Sequence, residues 1–266
     1  MTFSEIAPAK LNLALHVCGK LPDGRHAIET LFAFCTDGDR IEGELANDVA
    51  LEVGGPFAEG LSGDNLVLTA ANALGDAAGV GKGAALRLIK NLPVASGIGG
   101  GSADAAAALR LLTRLWSIDP AHATAVAPAL GADVSACLLS LTARGEGAGD
   151  RLDLVDDPSI AGTAVLLINP RKPLSTGAVF ARWDGVDRGP LGDWREGRND
   201  LEAPARSLVP AIGDILDWLA DQPGATFTRM SGSGATCFAL FADEGARDAA
   251  ADACPAIWWH LATFLR

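Results

Sequence analysis

Gly97, Gly99, Gly100 and Gly101 crowd into five positions and are followed by Ser102 and a long alanine-rich stretch. Ahead of them, residues 84–90 set apolar Leu86 and Leu88 against charged Arg87 and Lys90, and Pro93 breaks the chain. Behind them, residues 103–116 carry apolar side chains at helical spacing. The glycines are therefore expected just before a helix N-terminus. Without Cβ atoms they reach positive φ and let a ligand approach the backbone, while the unpaired amides and dipole of the first helical turn favour an anion. A nucleoside triphosphate suits that chemistry. Taken by itself the run reads equally well as a flexible connection.

Two well-known phosphate loops do not fit. Around Gly81 and Lys82, Asp76 stands where a Walker loop needs glycine and Gly83 where it needs Ser or Thr. A dinucleotide-binding fingerprint would need glycine in place of Ser102 and a strand running straight into the glycines.

The 266 residues, 49% of them hydrophobic, suffice for one large domain or two closely packed ones. Acidic residues outnumber basic ones 33 to 21, and the net charge of -12 argues against non-specific binding to nucleic acid or to an anionic membrane. A phosphate site in such a chain has to be supplied locally with cations and backbone donors. No apolar run approaches the ~18 residues of a membrane span, and Glu5 and Pro8 interrupt any export signal, so the expected location is the cytoplasm. Cys18, Cys35, Cys137, Cys237 and Cys254 are odd in number and scattered, and read as small core residues, neither a disulfide frame nor a zinc site.

The pattern predicts a strand over 6–17, with Leu11, Leu13, Leu15 and Val17 on one face and Lys10, Asn12, Ala14 and His16 on the other. Strands are expected at 30–34, 40–44 and 49–53, then a helix over 65–78 with Asp64 as its N-cap. A helix at 120–130, containing Pro128, precedes the punctuation Gly131-Ala132-Asp133 and an apolar stretch at 134–141. Glycines and acidic residues change the texture at 143–158, which places a domain boundary near Asp150, with one domain over 1–150 and the other over 151–266. Beyond it the pattern predicts strands at 164–168, 227–230, 236–241 and 257–265. Helices are expected at 176–183, 200–208, 211–220 and 244–253, and a polar loop at 184–198. Strands and helices mix without a βαβ rhythm, so the expected class is α+β.

The run Pro93-Val94-Ala95-Ser96-Gly97-Ile98-Gly99-Gly100-Gly101-Ser102-Ala103-Asp104-Ala105-Ala106 resembles the second motif of the GHMP kinases. Four further segments resemble that superfamily in the same chain order. They are Pro8-Ala9-Lys10-Leu11-Asn12-Leu13, Leu21-Pro22-Asp23-Gly24-Arg25-His26, Leu130-Gly131-Ala132-Asp133-Val134 and Arg229-Met230-Ser231-Gly232-Ser233-Gly234-Ala235. Within the superfamily the likeness is greatest to the 4-diphosphocytidyl-2-C-methyl-D-erythritol kinase family. The resemblance implies an N-terminal ATP-binding domain and a smaller C-terminal α/β-sandwich domain, with the active site in the cleft between them. It implies transfer of the ATP γ-phosphoryl group to the 2-hydroxyl of a cytidine-diphosphate-linked methylerythritol, a step of the non-mevalonate route to isoprenoids.

By the same resemblance Asp133 is the general base, and Lys10 lies beside it, keeping the carboxylate ionised and stabilising charge on the transferring group. Residues from Pro93 to Ala103 hold ATP, with Asn65 near the adenine. His26 meets the cytosine edge, Asn12 makes polar contact with the substrate, and Thr176 and Phe180 reach it from the second domain. Family members usually place tyrosine before the histidine, whereas this chain has Arg25 there and no tyrosine anywhere; a guanidinium also stacks on a planar base. Mg²⁺ is expected with ATP, and Ser102 is a candidate ligand. Taken singly, Asp133 reads as an N-cap, Lys10 as a solvated strand residue, His26 as a turn residue and Ser102 as a helix cap. The alternatives are another GHMP kinase, acting on homoserine, mevalonate or a sugar, and a nucleotide-sensing protein without transfer.

Overall fold

The computed structural model of the chain describes residues 1–60 and 65–266. The chain divides into two compact units, each assembled from separated stretches. The first takes Met1–Ala9, Asp37–Val94 and Gly99–Ser140, and the second Lys10–Thr36, Ala95–Ile98 and Leu141–Arg266. Two long strands, β1 (Phe3–Lys20) and β2 (His26–Ala46), pair with each other and give one end to either unit.

In the first unit β2 pairs antiparallel with β4 (Gly83–Ile89), from Arg40 opposite Ile89 to Ala46 opposite Gly83, and β3 (Ala50–Gly54) lies parallel to β4. A parallel pair needs a crossover, and α1 (Leu66–Ala78) lies in it. Asn65 holds the capping position, its Oδ1 accepting the Val67 amide at 2.9 Å, while the expected cap, Asp64, lies outside the described residues. Three more helices follow: α2 (Gly100–Trp116), α3 (Pro120–Leu130) and α4 (Val134–Leu139). The buried alanines of α2, Ala105 to Ala108, let α1, α3 and α4 pack closely around it.

Two expectations change here. The strands at 30–34 and 40–44 are parts of one strand, β2, because Gly38 does not turn the chain: its missing Cβ leaves the space into which the Ala7 carbonyl of β1 presses. The helix expected from residue 103 begins at Gly100, inside the glycine run, because Gly99 takes the left-handed conformation at φ 67° and completes the turn alone.

The second unit carries a four-stranded antiparallel sheet, ordered β10 (Trp259–Phe264), β7 (Ala164–Asn169), β9 (Cys237–Phe241), β8 (Ala225–Met230). The central strand β7 is buried along its whole length, hence its unbroken apolar run. Helix α7 (Ala211–Ala220) packs on β8 and β9, and α8 (Glu244–Asp252) on β7 and β10, enclosing Leu166, Ile168, Ile212, Ile215, Leu219 and Phe241. Short helices α5 (Thr176–Phe180) and α6 (Glu202–Leu208) precede them.

The glycine-rich stretch after residue 143 forms a hairpin, β5 (Ala143–Gly147) and β6 (Arg151–Leu154), and β5 pairs with β2 from Ile28 opposite Gly147 to Phe32 opposite Ala143. Its glycines mark the change of texture in the sequence, and Gly145 serves packing: a Cβ there would lie 2.5 Å from Phe32 Cε2 and 3.2 Å from Thr30 Cγ2. Residues 184–198 carry no helix or strand, as expected, and are pinned in place. His16 Nδ1–H donates to the Gly189 carbonyl at 3.1 Å while Nε2 accepts the Arg198 amide at 3.2 Å, a pattern that only the neutral ring satisfies. Arg229 donates to the carbonyls of Leu13 and Trp194.

Helices mix with mainly antiparallel strands in two sheets, which is the α+β class that the sequence indicates. Cys35, Cys137 and Cys237 are buried, Cys18 and Cys254 half-buried, and none of the five is in a disulfide. Among the described residues no helix is long and apolar enough to cross a membrane.

Replacing Gly145 by alanine is expected to destabilise the protein by about 1–3 kcal/mol through overpacking. Gly192→Ala, whose new Cβ meets nothing within 4 Å, is expected to stay within about 0.5 kcal/mol of the parent. Thermal unfolding of the two variants side by side measures the difference.

Candidate active site

Within the second unit, segments far apart in sequence meet in one hydrogen-bonded network. Lys10 and Asn12 share a face of β1, as their spacing predicts, and both are buried. Lys10 Nζ donates to Asn12 Oδ1 at 2.8 Å and lies 5.2 Å from the centre of the Phe32 ring. Asn12 Nδ2 donates to Thr30 Oγ1 at 2.8 Å, so both ends of the amide are engaged. The Asn12 amide reaches Ser231 Oγ at 3.1 Å, and that hydroxyl donates onward to the Gly97 carbonyl at 3.1 Å. Asn199, buried, donates to the carbonyls of Met230 and Gly232 at 2.7 and 2.8 Å.

Two glycine-bearing segments are thereby pressed backbone to backbone. A Cβ at Gly97 would lie 2.6 Å from the carbonyl oxygens of Ser231 and Gly234, and one at Gly232 would lie 2.8 Å from the Gly97 carbonyl. The Lys10 amide donates to Ile98 O and the Thr236 amide to Ser96 O, each at 3.0 Å. Residues 95–98 are thus held between β1 and the segment 231–236. Ile98 is wholly buried, so only its backbone is available to a ligand.

In the first unit Gly99 occupies the N-cap of α2 with no side chain to cap it. Helix geometry leaves the amides of Gly100, Gly101 and Ser102 without intrahelical acceptors, whereas the Ala103 amide closes on Gly99 O at 2.8 Å. A Cβ at Gly101 would meet nothing within 4 Å, so this side of the turn faces open space. Ser102 is the third residue of the helix and not its cap. Asp133 stands at the N-cap of α4 in the helical conformation, and its side chain makes no capping bond. Asn65 spends its Oδ1 on α1, and Pro93 is buried.

Sequence reasoning missed what lies beneath this turn. Lys90, Asp39 and Asp104 are almost wholly buried, and the Lys90 ammonium is bonded to Asp39 and, at 2.7 Å, to Asp104. Asp39 Oδ1 also accepts the amides of Asn91 and Leu92 at 2.5 and 2.8 Å. One ammonium serves two carboxylates, and Asp104 Oδ1 is left buried without a hydrogen bond. Burial, only partly countered by Lys90, raises the Asp104 carboxyl to about 7. A Cβ at Gly100 would lie 3.0 Å from Lys90 Nζ, so the centre sits directly under the first residue of α2. The signal was present: Asp104 is the one acid in the buried run from Ala103 to Leu109.

Also in the second unit, the turn 21–26 and α5 meet through aromatic rings. His26 stacks on Phe180 with centroids 4.5 Å apart and planes 23° apart. Burial, with a smaller contribution from Lys20, lowers the His26 pKa and favours its neutral form. Thr176 Oγ1 lies 2.9 Å from Ser233 Oγ, which joins α5 to the third glycine segment. Arg25 is half-exposed and pairs with Asp23 at 2.8 Å and Asp150 at 3.4 Å.

Removing the Lys90 ammonium leaves two carboxylates buried together. Lys90→Met is expected to cost about 3–5 kcal/mol in urea unfolding, and adding Asp104→Leu to recover part of the loss by removing one uncompensated charge.

Family models match the chain in two places, GHMP kinases N terminal domain at residues 65–140 and GHMP kinases C terminal at residues 186–259. The chain is 52% identical to 4-diphosphocytidyl-2-C-methyl-D-erythritol kinase of Rhizorhabdus wittichii, over 99% of this chain and 94% of that protein. It is 50% identical to the protein of the same name from Novosphingobium aromaticivorans, over 100% and 94%. A crystal structure of 4-(cytidine 5'-diphospho)-2C-methyl-D-erythritol kinase superposes with a TM-score of 0.84 at 30% identity, covering 99% of both chains. Homoserine kinase from Cytophaga hutchinsonii shares the fold, with a TM-score of 0.71 at 17% identity over 99% of this chain and 95% of that one. Full-length identity of this order, with both family segments in place, makes the chain a member of the GHMP kinases, in the family of 4-diphosphocytidyl-2-C-methyl-D-erythritol kinases, and an ATP-dependent small-molecule kinase.

Proposed function

We propose that this chain transfers the γ-phosphoryl group of ATP to the 2-hydroxyl of 4-(cytidine 5'-diphospho)-2-C-methyl-D-erythritol, in the non-mevalonate route to isoprenoid precursors. The observation that carries the reading is the 52% identity, over almost the whole chain, to a kinase of that substrate. The matched segments, 65–140 and 186–259, fall on either side of Asp150. This supports a functional division into an ATP-binding and catalytic part, 1–150, and a substrate-contacting part, 151–266.

Asp133 takes the proton of the acceptor hydroxyl as its oxygen attacks the γ-phosphorus, and ADP leaves with the bridging electron pair. A tertiary alcohol is crowded and weakly acidic, so a placed base contributes on the order of 10²–10⁴ in rate. Lys10, fixed by Asn12, stabilises charge on the transferring phosphoryl group, and Asn12 itself contacts the substrate. The backbone from Pro93 to Ala103 cradles the phosphates, with the amides of Gly100, Gly101 and Ser102 foremost, and Asn65 lies near the adenine.

Mg²⁺ fits as an ion carried by the ATP phosphates. The hydroxyl of Ser102, in the first turn of α2, is the donor that would complete its shell, and the charge it supplies offsets that of the triphosphate. Among the described residues no three His, Cys, Asp or Glu side chains converge on a metal site. Phe180 stacks on the cytosine, His26 meets its edge, Thr176 reaches the adjoining part of the substrate, and Arg25 borders the diphosphate. Five cysteines outside any disulfide are in keeping with a cytoplasmic enzyme.

Asp133→Asn is expected to lower kcat at least ~10²-fold while ATP affinity, measured by calorimetry, stays within about threefold of the parent; near-normal turnover would remove Asp133 from the mechanism. With a panel of acceptors, turnover is expected with the cytidine-linked compound and to fall sharply with its uridine counterpart. Activity on homoserine, mevalonate or a sugar instead would transfer the reading to another GHMP kinase. ATP binding without any product would point to a sensor.

A further inference from the structure

We propose that Trp183 is a specificity-determining residue of the acceptor site, forming the wall of the base pocket next to Phe180 and giving its indole N–H to an acceptor on the rim of a bound pyrimidine. The inference rests on the reading of His26 and Phe180 as the nucleobase pocket.

Three rings from two segments converge in the second unit. His26 lies against the face of Phe180, and Trp183 meets His26 nearly at right angles, with centroids 5.7 Å apart and planes 85° apart. A base sandwiched between His26 and Phe180 would need those rings about 7 Å apart, twice the stacking distance, whereas they stand 4.5 Å apart. His26 therefore already occupies the stacking position on Phe180, and a pyrimidine that stacks there has to take its place, with His26 moving from the face of Phe180 to the edge of the base. A planar ring in that position meets Trp183 in the same perpendicular relation.

The indole nitrogen marks the site independently. Trp183 Nε1 is buried and has no hydrogen-bond partner. An unmet buried donor is costly, and a bound acceptor removes that cost. A pyrimidine carries carbonyl oxygen and ring nitrogen on its rim, which a donor in this position can read, while Phe180 offers only a face. Arg25, the other planar group in the turn, is held by Asp23 and Asp150, and the chain has no tyrosine. Trp183 is thus, with His26, an aromatic side chain beside Phe180 that carries a polar donor.

Trp183→Phe keeps a ring and deletes the donor, and Trp183→Ala deletes both. The expected result is a KM for the cytidine-linked acceptor raised roughly three- to tenfold by Trp183→Phe and further by Trp183→Ala, with kcat and the KM for ATP within about twofold of the parent. A substitution that merely loosened the fold would move all three. Titration of the parent with CDP is expected to change tryptophan fluorescence, and the change to be lost in Trp183→Phe. That variant carries the test should Trp183→Ala fail to fold. Normal turnover of the cytidine-linked acceptor with an unaltered KM in Trp183→Phe, or an undiminished fluorescence response, overturns the role of Trp183 alone. Failure of the parent to bind CDP or to turn over the acceptor overturns the nucleobase reading and this inference with it.

Discussion

The second unit is organised around a place where backbone lies on backbone. Gly97 meets the carbonyls of Ser231 and Gly234, and Gly232 meets the carbonyl of Gly97, at separations no side chain would permit. Peptide dipoles brought so close need partners, and the structure provides them: Ser231 Oγ bridges the Asn12 amide and Gly97 O, while the Thr236 amide closes on Ser96 O. Lys10 is positioned as a consequence. Its ammonium is directed by the Asn12 side-chain amide, which donates to Thr30, while the Asn12 backbone N–H is held by Ser231. A side chain at either glycine would part the segments and release the lysine, far as Lys10 is from Ser231 in sequence.

The first unit solves a different problem. The turn opening α2 gains its freedom from glycine, but glycine is a poor helix former, at about 1 kcal/mol below alanine for each residue. Gly100 and Gly101 are helical nonetheless, because the helix they begin is packed among α1, α3 and α4 and tied to β2 and β4 through Asp39, Lys90 and Asp104. Two carboxylates on one ammonium is an arrangement that pure stability would not favour. It places charge and rigidity directly under residues whose amides have no acceptor within the helix. An anchor of this kind keeps the turn in one conformation, which lowers the entropy lost when a phosphate is bound.

Much of this was legible in the sequence, and the exceptions have physical causes. The alternation that put Lys10 and Asn12 on one face of a strand is a property of the pleat and survives in β1. The helices of the second unit follow from apolar spacing and caps, and β7 from an unbroken apolar run. Gly38 and Gly145 show what the pattern does not carry: the structure uses each missing Cβ to admit a neighbouring carbonyl or ring. Local chemistry cannot distinguish a glycine needed for its φ from one needed for its size, since the difference resides in a residue brought from elsewhere in the chain.

The sequence by itself determined the family, the order of the motifs, the strand face that carries Lys10 and the glycine turn at the head of α2, because each depends on residues close together in the chain. Only the tertiary structure decided that Lys90 finds two carboxylates, that His26 stacks on Phe180, and that Trp183 keeps an unanswered N–H beside them. Those relations depend on which distant surfaces meet and on how much water they exclude, and burial of that kind has no local pattern to betray it.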